Sequence, residues 1–261
     1  MDIYGILEEV RAKRPLVHHL TNWVTIYECA NIVKTLGASP VMAHAIEESG
    51  DMARLASSLV LNIGTLTPEF IESMKIAAKA ANKKGIPVIL DVCGAGATKL
   101  RDEKSFELLD SVRINVIKGN ASEVARIAGE KVQTKGVDAV KVENDLIKLA
   151  KQLASKRNAT VVITGKEDIV SDAKKHFIVK NGHEMMTRVV GTGCMATSVI
   201  GAFCAVEKDL ACAAAAGLSV YGIAAELAAK EAKGPASFKE RLFDNLYNLD
   251  EATIEKMQRI E

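Results

Sequence analysis

The sequence predicts a three-layer α/β/α fold, with a mainly parallel central sheet that has an antiparallel edge. Three features predict it. Short apolar, β-branched segments alternate with helical patterns, those segments are almost continuously apolar, and the last third is nearly all helical. Strands that are apolar on both sides are typical of parallel sheets covered by helices on both faces. The 261 residues contain no linker, low-complexity tract or internal repeat, so we predict one domain over residues 1–261.

Six segments are predicted as the parallel strands: residues 16–20, 40–43, 58–64, 87–92, 114–119 and 160–165. The pattern changes after Gly165. Residues 167–172, 175–182 and 184–190 predict three antiparallel edge strands, with Asn181-Gly182 as a turn because Asn-Gly is typical of tight β-hairpins.

Helix-end signals place the helices between the strands. Residues 25–36 end at Gly37, which is a typical C-terminal cap, and Thr67 followed by Pro68 predicts a helix start. Asn120 and Glu123 have the spacing of a capping box. The most apolar stretch, residues 199–229, is interrupted by charged residues and predicts buried helices rather than a membrane span.

Composition excludes several classes of partner. The net charge is +1, from 34 basic and 33 acidic residues without a long run of either sign, so we expect no nucleic-acid and no membrane partner. The five cysteines show no CxxC spacing, which argues against a zinc site or a disulfide framework. The charged, amphipathic N-terminus is unlike a signal peptide, so we predict a cytoplasmic protein.

An open parallel sheet binds its ligand beyond the carboxyl ends of its strands. There, the turn Gly191-Thr192-Gly193 opens onto a helix and is suited to a phosphate, although a tight helix entry with nothing bound is the alternative. Cys194 is the next residue after this turn. A thiolate there is stabilised by the helix N-terminus and could accept a proton from an alcohol, whereas a free cysteine is more often a small buried residue.

Further polar residues end the other strands. Asp91 and Glu123 suit Mg²⁺, and their alternative roles are a turn aspartate and the carboxylate of the capping box. Lys118 could act as a point charge on a phosphate, although a solvated lysine at a strand end is the alternative and, for a single residue, the favoured one. Thr164 could bond a nucleotide phosphate. Met42 either lines an apolar pocket or belongs to the core.

Three aromatic or imidazole side chains are less informative. His18 and His19 face opposite sides of a strand, so they cannot share one ion, and one of them is expected to be a hydrogen-bonded core histidine. Trp23 either covers a ligand or packs at a subunit contact.

Seven motifs occur in a characteristic order: HLTN (residues 19–22), ASPVM (38–42), NIGTL (62–66), DVCGAGAT (91–98), KGNASE (118–123), VVITG (161–165) and VVGTGC (189–194). Together they resemble the hydroxyethylthiazole kinases of the ribokinase-like superfamily. GNASE combined with GTGC is the specific part of this signature, and the resemblance extends from about His19 into the helices after Cys194.

The resemblance implies a reaction and a set of site residues. ATP, with Mg²⁺, phosphorylates the hydroxyl of 4-methyl-5-(2-hydroxyethyl)thiazole, a salvage step towards thiamine. Cys194 stands where most ribokinase-like enzymes have an aspartate base. Met42 and Gly191 are expected to contact the thiazole, Lys118 and Thr164 to contact ATP, Gly193 to form the anion hole, and Asp91 and Glu123 to serve the metal and phosphates. The family further implies a homotrimer with sites between subunits.

Other functions stay open at this point. The same fold includes hydroxymethylpyrimidine kinases and nicotinamide-nucleotide-hydrate dehydratases, which are expected to carry aspartate at position 194, and a nucleotide sensor without turnover is a third possibility. The chain also departs from the family pattern Asp-Pro-Val, since it has Asp91-Val92-Cys93. The retained carboxylate predicts that the chemistry survives.

Overall fold

The computed structural model describes residues 1–130 and 139–261, and the side chains of all of these except 139–144. Within that part of the chain, eight strands form one sheet in the order β2-β1-β3-β4-β5-β6-β7-β8. The strands are β1 (Leu16–Leu20), β2 (Ser39–Val41), β3 (Ser58–Asn62), β4 (Val88–Asp91), β5 (Val116–Asn120), β6 (Thr160–Thr164), β7 (Asp168–Ser171) and β8 (His176–Val179).

Helices connect and follow the strands. They are α1 (Ile3–Lys13), α2 (Ile26–Thr35), α3 (Ile46–Leu55), α4 (Pro68–Lys84), α5 (Lys99–Ser111), α6 (Ala121–Ala128), α7 (Ala139–Arg157), α8 (Thr192–Cys204), α9 (Leu210–Glu231), α10 (Pro235–Asn248) and α11 (Glu251–Met257). The predicted start signals are confirmed, because Thr67 Oγ1 accepts from the Phe70 N–H and Asn120 forms the capping box with Glu123.

Strands β1 to β6 are parallel, and β7 and β8 add antiparallel pairs at one edge. Neighbouring residues of one strand face opposite layers. Leu59 and Leu61 pack with α3 to α7, whereas Val60 packs with α1, α2 and α8 to α11. The sheet is therefore buried on both faces, and the predicted fold class is confirmed.

The predicted edge is wrong in one segment. Residues 184–190 do not form a strand, since Glu184–Arg188 is a 3₁₀ helix that begins after His183. The C-terminal segment takes the position beside β8, where the Ile178 N–H donates to Glu261 O and the Glu261 N–H donates to Ile178 O. The open side of β8 is therefore occupied by the C-terminal segment and cannot pair with residues 184–190.

The hairpin turn predicted at Asn181-Gly182, between residues 175–182 and 184–190, is also wrong because the second segment is not a strand. The turn between β7 and β8 lies at residues 172–175, where Asp172 Oδ1 accepts from the N–H groups of Lys174 and Lys175. Asn181 is buried instead, and its amide donates to Glu226 Oε1 and to Met257 O. It joins the end of β8 to α9 and to the C-terminal segment.

The apolar C-terminal stretch forms buried helices, as predicted for residues 199–229. By length and composition alone α9 could cross a membrane, but 78% of the apolar stretch is buried inside the protein. Most residues of α8 are also buried, and this helix packs on α9 and reaches β3 and β4. The start of α8 is thereby placed against the carboxyl ends of the central strands.

Candidate active site

The glycine turn forms the first part of the site. Gly191 caps the N-terminus of α8 with φ +92°, and a Cβ there would lie 2.6 Å from Thr25 Cγ2. Glycine is thus required twice, for its left-handed backbone and for its close approach to α2. Cys194 is the third residue of α8, so its thiol lies in the helix's first turn as the sequence predicted.

A hydrogen-bond chain holds the Cys194 sulfur. Asn22 Nδ2 donates to Cys194 Sγ at 3.3 Å and to Asn62 Oδ1 at 3.2 Å. Asn22 Oδ1 in turn accepts from the N–H and the hydroxyl of Thr25, both at 3.1 Å. The amide orientation is therefore set, and it presents a donor to sulfur.

The ionisation of Cys93 and that of Cys194 are linked. A hydrogen bond from Cys93 lowers the pKa of Cys194, with smaller lowering effects from Thr25 and from the charge of Lys118, against the opposing effects of burial and of Asp91. The same contact, together with burial, raises the pKa of Cys93. Of the two thiols, Cys194 is therefore the one whose pKa is lowered and which ionises more readily.

Asp91 is the centre of a buried polar network. One carboxylate oxygen, Oδ2, accepts from Thr197 Oγ1 at 2.7 Å, from Lys118 Nζ at 3.1 Å and from Asn62 Nδ2 at 3.1 Å. The other oxygen, Oδ1, is buried and has no hydrogen-bond partner. A buried carboxylate oxygen without a protein donor is unusual, and it is able to accept from water or to bind a cation.

Lys118 is buried rather than solvated. Its side chain is 6% exposed, and that of Asp91 is 1% exposed. Burial acts against the charge, but the Asp91 carboxylate prevails and raises the pKa of Lys118. A Cβ on Gly193 would lie 3.4 Å from Lys118 Nζ, so the ammonium faces the glycine turn. A positive charge and free helix amides thus meet at one point, as an anion site needs.

Glu123 serves the loops around the site. Its Oε1 accepts from the Gly94 N–H and its Oε2 from the Asn120 N–H, both at 2.7 Å. The capping role is confirmed, and the carboxylate also fixes the glycine loop after Asp91. Among the described residues no group of three or more metal-ligating side chains is present. Asp91 Oδ1 is thus the carboxylate oxygen without a hydrogen-bond partner, whereas each Glu123 oxygen already accepts from a backbone N–H.

A cavity of about 680 Å³ adjoins the turn. Thr164 and Gly193 both line it, together with Asp168, Thr192 and Tyr221. This volume is in the range of small-molecule sites. Burial raises the pKa of Asp168 to about 6, while the Gly165 N–H donates to its Oδ1 at 3.0 Å. The Tyr221 hydroxyl donates to Thr192 O and ties α9 to the turn.

Met42 lies apart from this cluster. It follows β2, and strands β1 and β3 separate β2 from β4, which carries Asp91. The two histidines of β1, His18 and His19, are both buried. His18 Nε2 bonds Ala43 O at 2.6 Å and His19 Nε2 bonds Ser198 Oγ at 3.1 Å, which confirms the core role. Trp23 stacks on Phe70 with 5.6 Å between ring centroids.

Four residues of the site were assigned no role in it from the sequence: Asn62, which begins the NIGTL motif, Thr25, Thr197 and Asp168. Asn62 had a usable signal, because it is a polar residue that closes an apolar strand, as Asp91 does. Thr197 had none, since its hydroxyl reaches Asp91 only when α8 packs against β4.

Comparison with known proteins decides between the candidate functions. The sequence profile of the hydroxyethylthiazole kinase family matches residues 7–252. The chain belongs to that family. It is 53% identical over 255 residues to a hydroxyethylthiazole kinase of Methanosarcina mazei, covering 98% of both chains. A hydroxyethylthiazole kinase of Thermoanaerobacter pseudethanolicus is 49% identical over 258 residues, again covering 98% of both.

Solved structures agree. The hydroxyethylthiazole kinase of Pyrococcus horikoshii OT3 superposes with a TM-score of 0.92 at 44% identity, covering 99% of this chain and 98% of that one. An NAD(P)H-hydrate dehydratase of Bacillus subtilis, crystallised with ATP and Mg²⁺, reaches a TM-score of 0.58 at 15% identity over 92% of this chain and 95% of its own. It shares the fold only. The family member described here is thus a kinase that acts on a thiazole alcohol, with ATP as co-substrate.

Proposed function

We propose that the chain transfers the γ-phosphoryl group of ATP to the hydroxyl of 4-methyl-5-(2-hydroxyethyl)thiazole at the mouth of the glycine turn, with Cys194 as the base. One observation carries the proposal. The ammonium of the buried Asp91–Lys118 pair faces Gly193, which begins α8 next to Cys194 and lines the cavity of about 680 Å³. A phosphorus atom, an alcohol and a proton acceptor have room to meet there.

The glycine turn and Lys118 neutralise the negative charge of the transferred phosphoryl group. Phosphoryl transfer depends on alignment and on stabilising the charge spread over the equatorial oxygens. The N–H groups at the start of α8 and the Lys118 ammonium face the same point, so Gly193 forms the anion hole. Thr164, at the end of β6, contacts the nucleotide in the adjoining cavity.

Cys194 receives the proton of the alcohol. Asn22 Nδ2 donates to its sulfur and Cys93 bonds it, so both contacts favour the thiolate. In a loose transition state little proton transfer is needed before the oxygen reaches phosphorus, so a weak base suffices. Gly191 and Met42 bind the thiazole. Because Met42 lies apart from the turn within one chain, a neighbouring subunit would complete this part of the site.

The residues present fit a magnesium ion. Mg²⁺ is usually held by one or two carboxylates together with phosphates and water. Asp91 Oδ1 is buried without a partner, as a ligand of that kind would be in the absence of its ion, and Glu123 lies beside the next loop. When bound, the ion would neutralise phosphate charge. Asp91 and Glu123 are the residues that would hold it.

The assembly and location are part of the proposal. We expect residues 1–261 to form one cytoplasmic kinase domain that assembles as a homotrimer, with sites between subunits. Tyr27 is 74% exposed and Val190 is 75% exposed, although both are large and apolar and flank the site residues Thr25 and Gly191. Contact with a neighbouring subunit would cover them.

The test is an ADP-release assay over a panel of small alcohols that includes the thiazole alcohol and hydroxymethylpyrimidine. We expect turnover with the thiazole alcohol. Cys194→Ala should reduce kcat more than it changes KM, and Cys194→Asp should remain active. Full turnover of Cys194→Ala would exclude the base role.

Gly193→Ala tests the anion hole separately. A Cβ there would make ordinary contact with Lys118 Nζ at 3.4 Å, so the fold should keep its stability. The added methyl occupies the space for a phosphate oxygen, so kcat/KM for ATP should fall at least tenfold. An unchanged kcat/KM with an intact urea midpoint would contradict the assignment.

A further inference from the structure

Residues 180–184, hereafter the 180–184 wall, follow β8 and form one side of the cavity beside the glycine turn. They line the same cavity as Thr164 and Gly193. Residues 180–183 belong to no helix or strand. Their backbone groups therefore need partners from other parts of the chain, and those partners determine where the wall lies.

Glu226 of α9 holds the middle of this wall. Its Oε1 accepts from the Gly182 N–H at 2.9 Å and from Asn181 Nδ2 at 3.1 Å. The same oxygen accepts from Arg259 Nη2 at 2.7 Å, and Oε2 accepts from Arg259 Nη1 at 3.1 Å. The Glu226 side chain is only 13% exposed. Two parallel bonds to an arginine fix the orientation of a carboxylate, so Glu226 presents its acceptor to the wall in one direction.

Arg259 joins the same network from the C-terminal segment. Its Nη2 donates to Lys180 O and its N–H donates to Asn181 Oδ1, both at 2.9 Å. Ser219 Oγ, on α9, donates to Asn181 Oδ1 at 2.9 Å as well. The wall is thus held from α9 and from the C-terminal segment, and Glu226 is bonded to the wall and to Arg259 at once.

Helix α9 also contacts the glycine turn. Tyr221 donates its hydroxyl to Thr192 O at 3.2 Å. The next residue, Gly222, lies one turn before Glu226, and a Cβ there would lie 2.6 Å from the backbone C and O of Asn181. The helix and the 180–184 wall are therefore in direct backbone contact. One rigid helix thus sets the position of the wall relative to the turn.

We propose that Glu226 is a positioning residue for nucleotide binding, whose Oε1 acceptor keeps the 180–184 wall in the place that the bound nucleotide needs. The inference rests on the proposed function in that the cavity takes the nucleotide. Within the described chain Glu226 is not part of the cavity lining, so it acts through Asn181 and Gly182. A wall that is already ordered before binding costs less free energy to order on binding.

Loss of this acceptor should weaken nucleotide binding selectively. The Gly182 N–H and the Asn181 amide would lose a partner in a buried place, so the wall would rearrange or loosen. The thiazole alcohol is expected at Gly191 and Cys194, on the other side of the glycine turn from the nucleotide cavity. Its binding should therefore change little.

Three variants separate the acceptor, the charge and the helix. Glu226→Ala removes both oxygens. Glu226→Gln keeps an oxygen in the place of Oε1, where the wall donates, and loses only the Oε2 bond with Arg259. Glu231→Ala is the matched control, because Glu231 also lies on α9 and its carboxylate pairs with Arg241 of α10 at 3.6 Å.

Titration calorimetry with ADP and Mg²⁺, without any alcohol, gives the nucleotide Kd, and steady-state kinetics gives the KM of each substrate. We expect Glu226→Ala to raise the ADP Kd and the KM for ATP by about fivefold or more, with the KM for the thiazole alcohol within about twofold of wild type. Glu226→Gln and Glu231→Ala should stay within about twofold of wild type in all of these values. A merely structural role would lower the folded fraction, and so kcat, without this split.

Three results would overturn the proposal: an unchanged ADP Kd in Glu226→Ala, an equal rise in the KM of both substrates, or a Glu226→Gln protein as weak as Glu226→Ala. Should Glu226→Ala fail to fold, Arg259→Met replaces it, because Arg259 is 50% exposed and donates to both Glu226 and Lys180. Its ADP Kd should also rise, and an unchanged value would refute the inference.

The binding measurement needs no turnover, so the two proposals can fail separately. An ADP Kd raised by Glu226→Ala, in a protein that phosphorylates no thiazole alcohol, would support the role of Glu226 and refute the proposed function. Turnover of the thiazole alcohol together with an unchanged ADP Kd in Glu226→Ala would do the reverse.

Discussion

Replacing Lys118 with methionine should strongly destabilise the protein, because it leaves the Asp91 carboxylate buried without its cation. Methionine keeps most of the volume of the lysine stem, so the loss of charge dominates. Removing one partner of a buried ion pair typically costs about 3–5 kcal/mol. Asp91 Oδ2 retains the donors Thr197 at 2.7 Å and Asn62 at 3.1 Å, so we expect the low end, about 3 kcal/mol.

Urea unfolding at one fixed protein concentration measures this cost. For a chain of this size, a loss of about 3 kcal/mol shifts the midpoint down by roughly 1 M. The control is Lys118→Met combined with Asp91→Asn. It removes the orphaned charge, and the new amide oxygen can accept from Thr197 and Asn62 in place of Oδ2. We expect the double variant to regain at least about half of the lost stability.

A midpoint shift worth less than about 1 kcal/mol would show that the pair contributes little, as exposed pairs do. A double variant no more stable than Lys118→Met would show that lost packing, rather than the orphaned carboxylate, causes the effect. Either result would refute the argument from burial.

Three further predictions concern Gly191, His19 and Cys194. Gly191→Ala should lower the free energy of unfolding by about 2–4 kcal/mol in urea, because φ is +92° and the new Cβ would lie 2.6 Å from Thr25. Gly85→Ala is the control, with φ +82° and open space, and should cost only about 1 kcal/mol. Equal costs would show that the clash with Thr25 contributes nothing. Burial lowers the pKa of His19 from 6.5 to about 4, so the unfolded chain binds one more proton between these values, and stability should fall by about 3 kcal/mol as the pH drops through that range. His19→Asn should flatten that pH profile, and an unchanged slope would exclude His19 as its cause. Alkylation of Cys194 by iodoacetamide should have a pH midpoint below the ordinary thiol value of 9.0, and Cys93→Ala should raise it; an unmoved midpoint would mean that Cys93 does not stabilise the thiolate.

The regular part of the fold was predictable because its signals are local. The helix starts at Thr67 and Asn120 depend on a side chain that bonds an N–H three residues later, and both are confirmed. Residues 184–190 and the Asn181-Gly182 turn were mispredicted because distant segments determine them. The C-terminal residues near Glu261 take the edge of β8, and α9 together with Met257 holds the amide of Asn181.

The sequence by itself determined which residues end the strands and open the helices, since strand period and capping act over a few residues. It therefore placed Asp91, Lys118 and Cys194 at the carboxyl ends of the parallel strands. Only the tertiary structure decided their partners. Asn62 and Thr197 reach Asp91 because β3 pairs with β4 and α8 packs on β4. Those pairings depend on burying apolar faces that lie far apart along the chain, and no local pattern encodes them.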